Sequence, residues 1–206
     1  MSSRTFRVTS DVSLDLELDA EDRIARTPRH YTIKGMFLAR HVRALGAKFD
    51  AIRDQLLEPP RGDQYLPFGD YPQSDHARLS VAVARQEFPS LRLAEALRRV
   101  ERQAAEVFVA SSVGRMLTSL ASDPLTGFRL FPVAYRHMQS GGELVAIDLP
   151  AGRSRGIRLE LRDFAPWLDC SMLGTFEGGV VLFGRRPMIE VELLSDYDAN
   201  YLVSWT

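Results

Sequence analysis

Two periodicities divide this sequence. Between Gly35 and Met138 apolar residues recur three and four positions apart, the spacing of one helix face, whereas from Leu144 onward most of the chain alternates apolar with polar, the spacing of a strand with one buried side. Met36, Phe37, Val42 and Leu45, with Ala39 and Ala44, predict a helix over 35–45 that Gly46 ends. Phe49, Ile52, Leu56 and Leu57 predict a second amphipathic helix, stopped by Pro59-Pro60. Residues 61–75 are rich in Gly, Pro and Asp and read as a surface loop whose Tyr65, Phe68 and Tyr71 fold back onto the body. Ser74 or Asp75 is expected to cap a helix running to Phe88, where Pro89 closes it. Ser90 is expected to cap a longer one, with Leu91, Ala94, Leu97, Val100 and Ala104 as its apolar stripe, continuing through Val107 and Phe108. Glu95 stands four residues before Arg99, and Glu101 three after Arg98. That spacing reads as a solvated helix laced with ion pairs, each worth a few tenths of a kcal/mol. After the Asp123-Pro124 break, Phe128–Met138 makes an aromatic-rich helix or helical turn.

The second half reads as hairpin, helix, hairpin. Residues 144–149 and 157–161 form two strands about a Pro-Ala-Gly-Arg-Ser turn, and residues 188–194 and 201–205 form two more about Ser-Asp-Tyr-Asp-Ala-Asn. Between them Trp167, Leu168, Cys170, Leu173, Phe176, Val180, Val181 and Phe183 cover more than one face of a helix, as expected of one packed between layers; Gly174 and Gly178, one turn apart, flatten one side of it. Near the start, Val12–Asp19 alternates like an edge strand or arm, and residues 20–35 read as a connector with a short extended piece at Tyr31–Ile33. The fold class expected is therefore α+β, with N-terminal helices packed against a four- to five-stranded antiparallel sheet. Residues 1–33 are expected to be an extension or arm and 34–206 a single domain.

Composition narrows the function classes. The 206 residues suit one domain, and a formal net charge of −1 gives no global field to recruit nucleic acid or an acidic membrane. Cys170 is the single cysteine, so no intrachain disulfide or multi-cysteine metal site is available. No window approaches the roughly 18 apolar residues of a membrane span, and the N-terminus lacks a signal-peptide apolar region, so a cytoplasmic protein is expected. His30, His41, His76 and His137 fall in different expected elements, none with a second histidine or a carboxylate at metal-ligand spacing. With no metalloprotease, phosphate-loop, dinucleotide or nucleophile-elbow motif, the chain reads as non-enzymatic, with no metal site. Cys170 on an apolar helix reads as a small buried hydrophobe. Glu177 is one of few charges in that helix, and a buried carboxylate must be paired or protonated; an arginine, backbone donors or a ligand's polar end would serve. The small-residue segment 109–120 and the aromatic segment 128–138 could line a cavity, giving Phe108, Met116, Phe131, Tyr135, Met138, Cys170 and Glu177 as candidate ligand-binding residues. Arg98, Arg99, Arg102 and Arg115 are weaker candidates for an anion site.

Lys34-Gly35-Met36-Phe37, Asp70-Tyr71-Pro72 with Asp75, Glu95-Ala96-Leu97-Arg98-Arg99, Gly114-Arg115, Pro132 with Tyr135, and Leu168-Asp169-Cys170 with Gly174 and Glu177-Gly178 occur in an order and spacing that resemble a paralogous domain-of-unknown-function family of about 200 residues, expanded in myxobacteria. The likeness runs from about Lys34 to Thr206. More loosely, the C-terminal half is similar to the superfamily of vinyl-reductase-type (V4R) domains, TRAPP vesicle-transport subunits and haem nitric-oxide/oxygen-binding (H-NOX) domains. That resemblance implies helices against a four- or five-stranded antiparallel sheet and an apolar cavity, often in a dimer. Residues 102–120 hold no histidine, and the tyrosine-serine-arginine signature that grips haem propionates is missing, so no cofactor is expected. The resulting expectation is a non-enzymatic sensor or adaptor that binds a small, mostly apolar molecule and signals through association, as a homodimer or with a protein partner. The alternative is a ligand-free interaction or dimerisation module.

Overall fold

The alternation of the C-terminal half closes into a five-stranded antiparallel sheet with one wet face. In the computed structural model, which describes residues 4–9, 13–62, 64–150 and 156–206, its strands are β1 (Arg4–Thr9), β4 (Glu143–Asp148), β5 (Gly156–Arg162), β6 (Pro187–Leu193) and β7 (Ala199–Trp205), in the order β1-β6-β7-β5-β4. Register carries the burial: Ile157 and Ile189 both pair with Val203, Leu159 and Val191 with Tyr201, and Leu161 with Ala199. All are buried, while Arg158, Glu190 and Asn200 alternate onto the outer face. A one-residue slip would expose this whole apolar set. Residues 151–154 of the expected 150–154 turn lie outside the described residues.

Helix α9 (Ser171–Val181) lies on the inner face, and α5 (Leu93–Arg102) packs on α9. Phe176 joins the layers, with its ring 4.8 Å from Tyr201 and 5.6 Å from Phe131. Around them run α1 (Ala20–Arg26), α2 (Gly35–Leu45), a 3-10 turn (Gly46–Phe49) leading into α3 (Asp50–Arg53), α4 (Gln73–Glu87), α6 (Ala104–Ala110), α7 (Ser112–Ser119) and α8 (Pro124–Met138). A short ribbon of β2 (Thr32–Lys34) with β3 (Asp70–Pro72) links the entries to α2 and α4. Asp123 caps α8 by accepting from the Thr126 N–H, with Pro124 at the first helical position, where its missing N–H is not needed.

Several elements differ from expectation, each for a local reason. The edge strand is Arg4–Thr9, not the alternating stretch that follows. There Leu14 is buried, but its N–H donates to the Glu95 carboxylate at 3.0 Å rather than to a neighbouring strand; Val12 lies outside the described residues. The expected 20–35 connector contains α1, capped by Asp19 and held by Arg23, which forks onto Asp169 at 2.5 and 2.7 Å. The expected helix of residues 49–57 stops at Arg53, because the Leu57 and Glu58 N–H groups turn to the Asp75 carboxylate, both at 2.8 Å. Asp75 thus serves that turn, and α4 begins without a side-chain cap. The expected long helix breaks at Gln103, Phe68 stays 56% exposed, and Trp167–Cys170 form a turn ahead of α9. Among the described residues no helix is long and apolar enough to cross a membrane.

Candidate functional site

Helix α5 is amphipathic by sequence yet buried almost all round. Leu97 and Val100 are covered, and so are Glu95, Arg98 and Glu101. Arg98 is no solvated surface charge and does not use Glu101, the i,i+3 partner expected for it. Its Nε and Nη2 donate to the two oxygens of Glu177 on α9 at 2.8 and 2.5 Å, its Nη1 donates to Glu95 at 3.0 Å, and Nη2 also reaches the Thr9 carbonyl at 2.9 Å. Burial disfavours the guanidinium's charge, but the bonds and field of Glu177 and Glu95 outweigh it and raise its pKa. The glycines of α9 allow this approach: an added Cβ would meet the Arg98 carbonyl at 2.1 Å from Gly174 and the Arg102 carbonyl at 2.2 Å from Gly178.

Beside this seam is a cavity of about 210 Å³, walled by α4, α5, α6, α8, α9 and the turn before α9. Phe108, Phe131, Tyr135, Met138, Trp167 and Met172 supply much of its apolar surface. Break points in the sequence made the walls: the chain interruptions at Gln103 and Ser111 let three short helices turn around the space instead of one running past it.

One patch of the wall is polar. His76 and Ser80 of α4 and Glu101 of α5 face the cavity, with His41 of α2 behind them. His41 Nε2 is 3.1 Å from His76 Nε2 and 3.0 Å from Ser80 Oγ, and Ser80 donates to Glu101 Oε1 at 2.7 Å. The two imidazole Nε2 atoms lie 3.8 and 3.9 Å from Glu101 Oε1. Burial lowers the pKa of both imidazoles, strongly for His41; the neighbouring Arg40 adds to this in both, while Glu101 opposes it at His76. His41 Nδ1 is buried with no hydrogen-bond partner.

Of the candidate ligand-binding residues, Phe108, Phe131, Tyr135 and Met138 line the cavity together. Met116 is 59% exposed on α7, away from it. Cys170 and Glu177 are fully buried behind the wall, with Glu177 committed to Arg98. Among the anion candidates, Arg98 and Arg99 are taken up by Glu95 and Glu177, and Arg115 donates to the Ala110 carbonyl. His76, Ser80 and Glu101 were missed because their neighbourhood depends on how α2, α4 and α5 cross, which no spacing within one helix encodes. Burial pushes the Cys170 thiol's pKa well up, since the thiolate finds no solvent there. An aromatic disulfide reagent at pH 8 is therefore expected to leave native Cys170 unmodified and to react fully in denaturant; rapid native-state reaction would contradict the packing.

Among curated proteins none matches the sequence. Solved structures similar to this one include an H-NOX protein from S. oneidensis in the Fe(II)NO ligation state, at 13% identity and TM-score 0.63, covering 84% of this chain and 99% of that one. An oxygen-binding H-NOX domain related to soluble guanylate cyclases aligns at 15% identity and TM-score 0.58, over 84% and 95%. A structure probing haem distortion in the H-NOX family aligns at 15% and 0.59, over 84% and 95%. The chain has an H-NOX-like fold. A haem does not fit the residues present. The cavity is smaller than the roughly 300–1,000 Å³ of pockets that enclose drug-sized molecules. Among the described residues its wall carries no Arg or Lys to meet two propionates, and the imidazole facing it has Nε2 against His41. Residues 26–206 match the model of a family described as protein of unknown function, DUF2378.

Proposed function

The chain belongs to the DUF2378 family of proteins of unknown function, and from its geometry we propose that it is a non-enzymatic cytoplasmic sensor that holds one small, mostly apolar molecule in the cavity beside the α5–α9 seam. The cavity volume carries this reading. The space is partly open to the surface, and the apolar side chains that line its 210 Å³ lack packing partners on that side unless something fills it. The space also exceeds the apolar cavity of about 150 Å³ that accepts benzene. An occupant restores the missing dispersion contacts, and the polar patch at His76, Ser80 and Glu101 can receive a single polar end.

Occupancy would reach a partner through the elements around the cavity. Strand β4, at the edge of the sheet opposite β1, leaves Val145 and Ile147 each 40% exposed and offers an edge for association. A panel of small apolar compounds should raise the melting temperature of the protein, because a ligand that binds only the folded state stabilises it by mass action. Ala134→Phe, which puts a ring into the cavity, should abolish that rise while leaving the protein folded. A panel with no response in the unaltered protein would remove the ligand reading in favour of a ligand-free interaction module.

A further inference from the structure

We propose that His41, His76 and Glu101 form a binding site for one divalent first-row transition ion, zinc or iron(II) in type, with its open coordination position on the cavity. The site does not depend on the cavity holding an organic molecule.

Three observations converge on it. The first is charge. Glu95 and Glu177 share the Arg98 guanidinium, whereas Glu101, only 4% exposed, has no Arg or Lys nitrogen within ion-pair distance among the described residues. Its one hydrogen bond given by the structure comes from the Ser80 hydroxyl. A buried carboxylate without a cation is expensive, and a dication supplies the missing charge.

The second is geometry. The three candidate donor atoms make a triangle with edges of 3.1, 3.8 and 3.9 Å, whose corners lie roughly 2.1 Å from a common centre; Zn–N and Zn–O bonds are about 2.0–2.2 Å. Glu101 Oε1 is too far from either imidazole for a hydrogen bond, but at the right distance to share an ion with both.

The third is the donor set. Two imidazoles and one carboxylate suit zinc or iron(II), while calcium and magnesium take oxygen donors. His41 Nε2 faces His76 Nε2 and Ser80 Oγ, and shifting its proton to the unpartnered Nδ1 turns the Nε2 lone pair to an ion. Ser80 keeps its bond to Glu101 and orients the carboxylate. His76 and Glu101 stand on the cavity wall, so the remaining position faces the space where water or a ligand's donor atom can enter.

The test uses the full chain, stripped with a chelator and titrated with Zn²⁺ by calorimetry and with Co²⁺ by absorption. One ion per chain is expected, with visible bands from four- or five-coordinate cobalt. His76→Ala and Glu101→Gln should each weaken binding by more than the 10–100-fold that loss of an outer-shell partner brings. His137→Ala, which alters an exposed histidine, should bind as the unaltered protein does. Proton NMR of the unaltered cobalt form should show shifted signals from two imidazoles, a readout that needs no variant to fold. The site is refuted by absence of saturable binding, by binding that survives both His76→Ala and Glu101→Gln, or by a cobalt spectrum without imidazole signals.

Discussion

Replacing Arg98 with alanine is expected to destabilise the protein by about 3–5 kcal/mol, the scale seen when one member of a buried ion cluster is removed. For a chain of this size that corresponds to a fall in melting temperature of very roughly 6–20 °C. The effect comes from what remains. Glu177 and Glu95 would be left in a buried seam without their shared guanidinium, with the Leu14 N–H and the half-exposed Arg99 their remaining donors among the described residues. The Thr9 carbonyl would also lose its donor, so the edge strand and the stretch after it should exchange amide protons faster. Arg99→Ala is the control. Arg99 meets the same Glu95 from a side chain that is 49% exposed, and its removal should be felt at only about 0.3–0.5 kcal/mol. A shape-preserving exchange of the whole cluster for apolar residues should be far milder than Arg98→Ala, since it leaves no uncompensated charge. Thermal and urea unfolding of the three proteins decides this; an Arg98→Ala protein as stable as Arg99→Ala would dismiss the seam as a source of stability.

Gly174→Ala is the second large effect, and its sign opposes helix propensity. In a free helix the change from glycine to alanine is favourable by about 1 kcal/mol. Here the new methyl would stand 2.1 Å from the Arg98 carbonyl oxygen and 2.9 Å from its carbon. Those are backbone atoms of a neighbouring helix and cannot swing aside, so α5 and α9 must separate, which pulls Arg98 from Glu177. Overpacking of this kind costs about 1–3 kcal/mol, occasionally more. Gly179→Ala should be much better tolerated, because its methyl meets only the Phe128 ring edge, at 3.2 Å, beside the cavity. A Gly174→Ala protein more stable than the original would show that the helices are not in backbone contact.

How much of this was legible follows from where each signal is stored. The sheet and α9 could be read because burial on one face imprints alternation on Ile157–Leu161 and on Tyr201–Trp205, and burial on several faces puts apolar residues on more than one face of residues 167–183. Glu177 stood out as a charge needing a partner, but which arginine it meets depends on a contact 79 residues away in sequence. The alternation expected over residues 12–19 was real in burial from Ser13 to Asp19 and misleading in pairing, since a half-buried extended chain and an edge strand leave the same pattern. Four cavity residues were legible as aromatics and methionine, Phe108 on α6 and Phe131, Tyr135 and Met138 on α8. The His41–His76–Glu101 group was not, because its members sit one to a helix and only the crossing of α2, α4 and α5 brings them together.

Native mass spectrometry of the protein freshly purified from its own host tests the central claim most directly. The cavity predicts a folded species heavier than the bare chain by one small organic molecule, lost on denaturation. A mass equal to that of the bare chain under both conditions would contradict it.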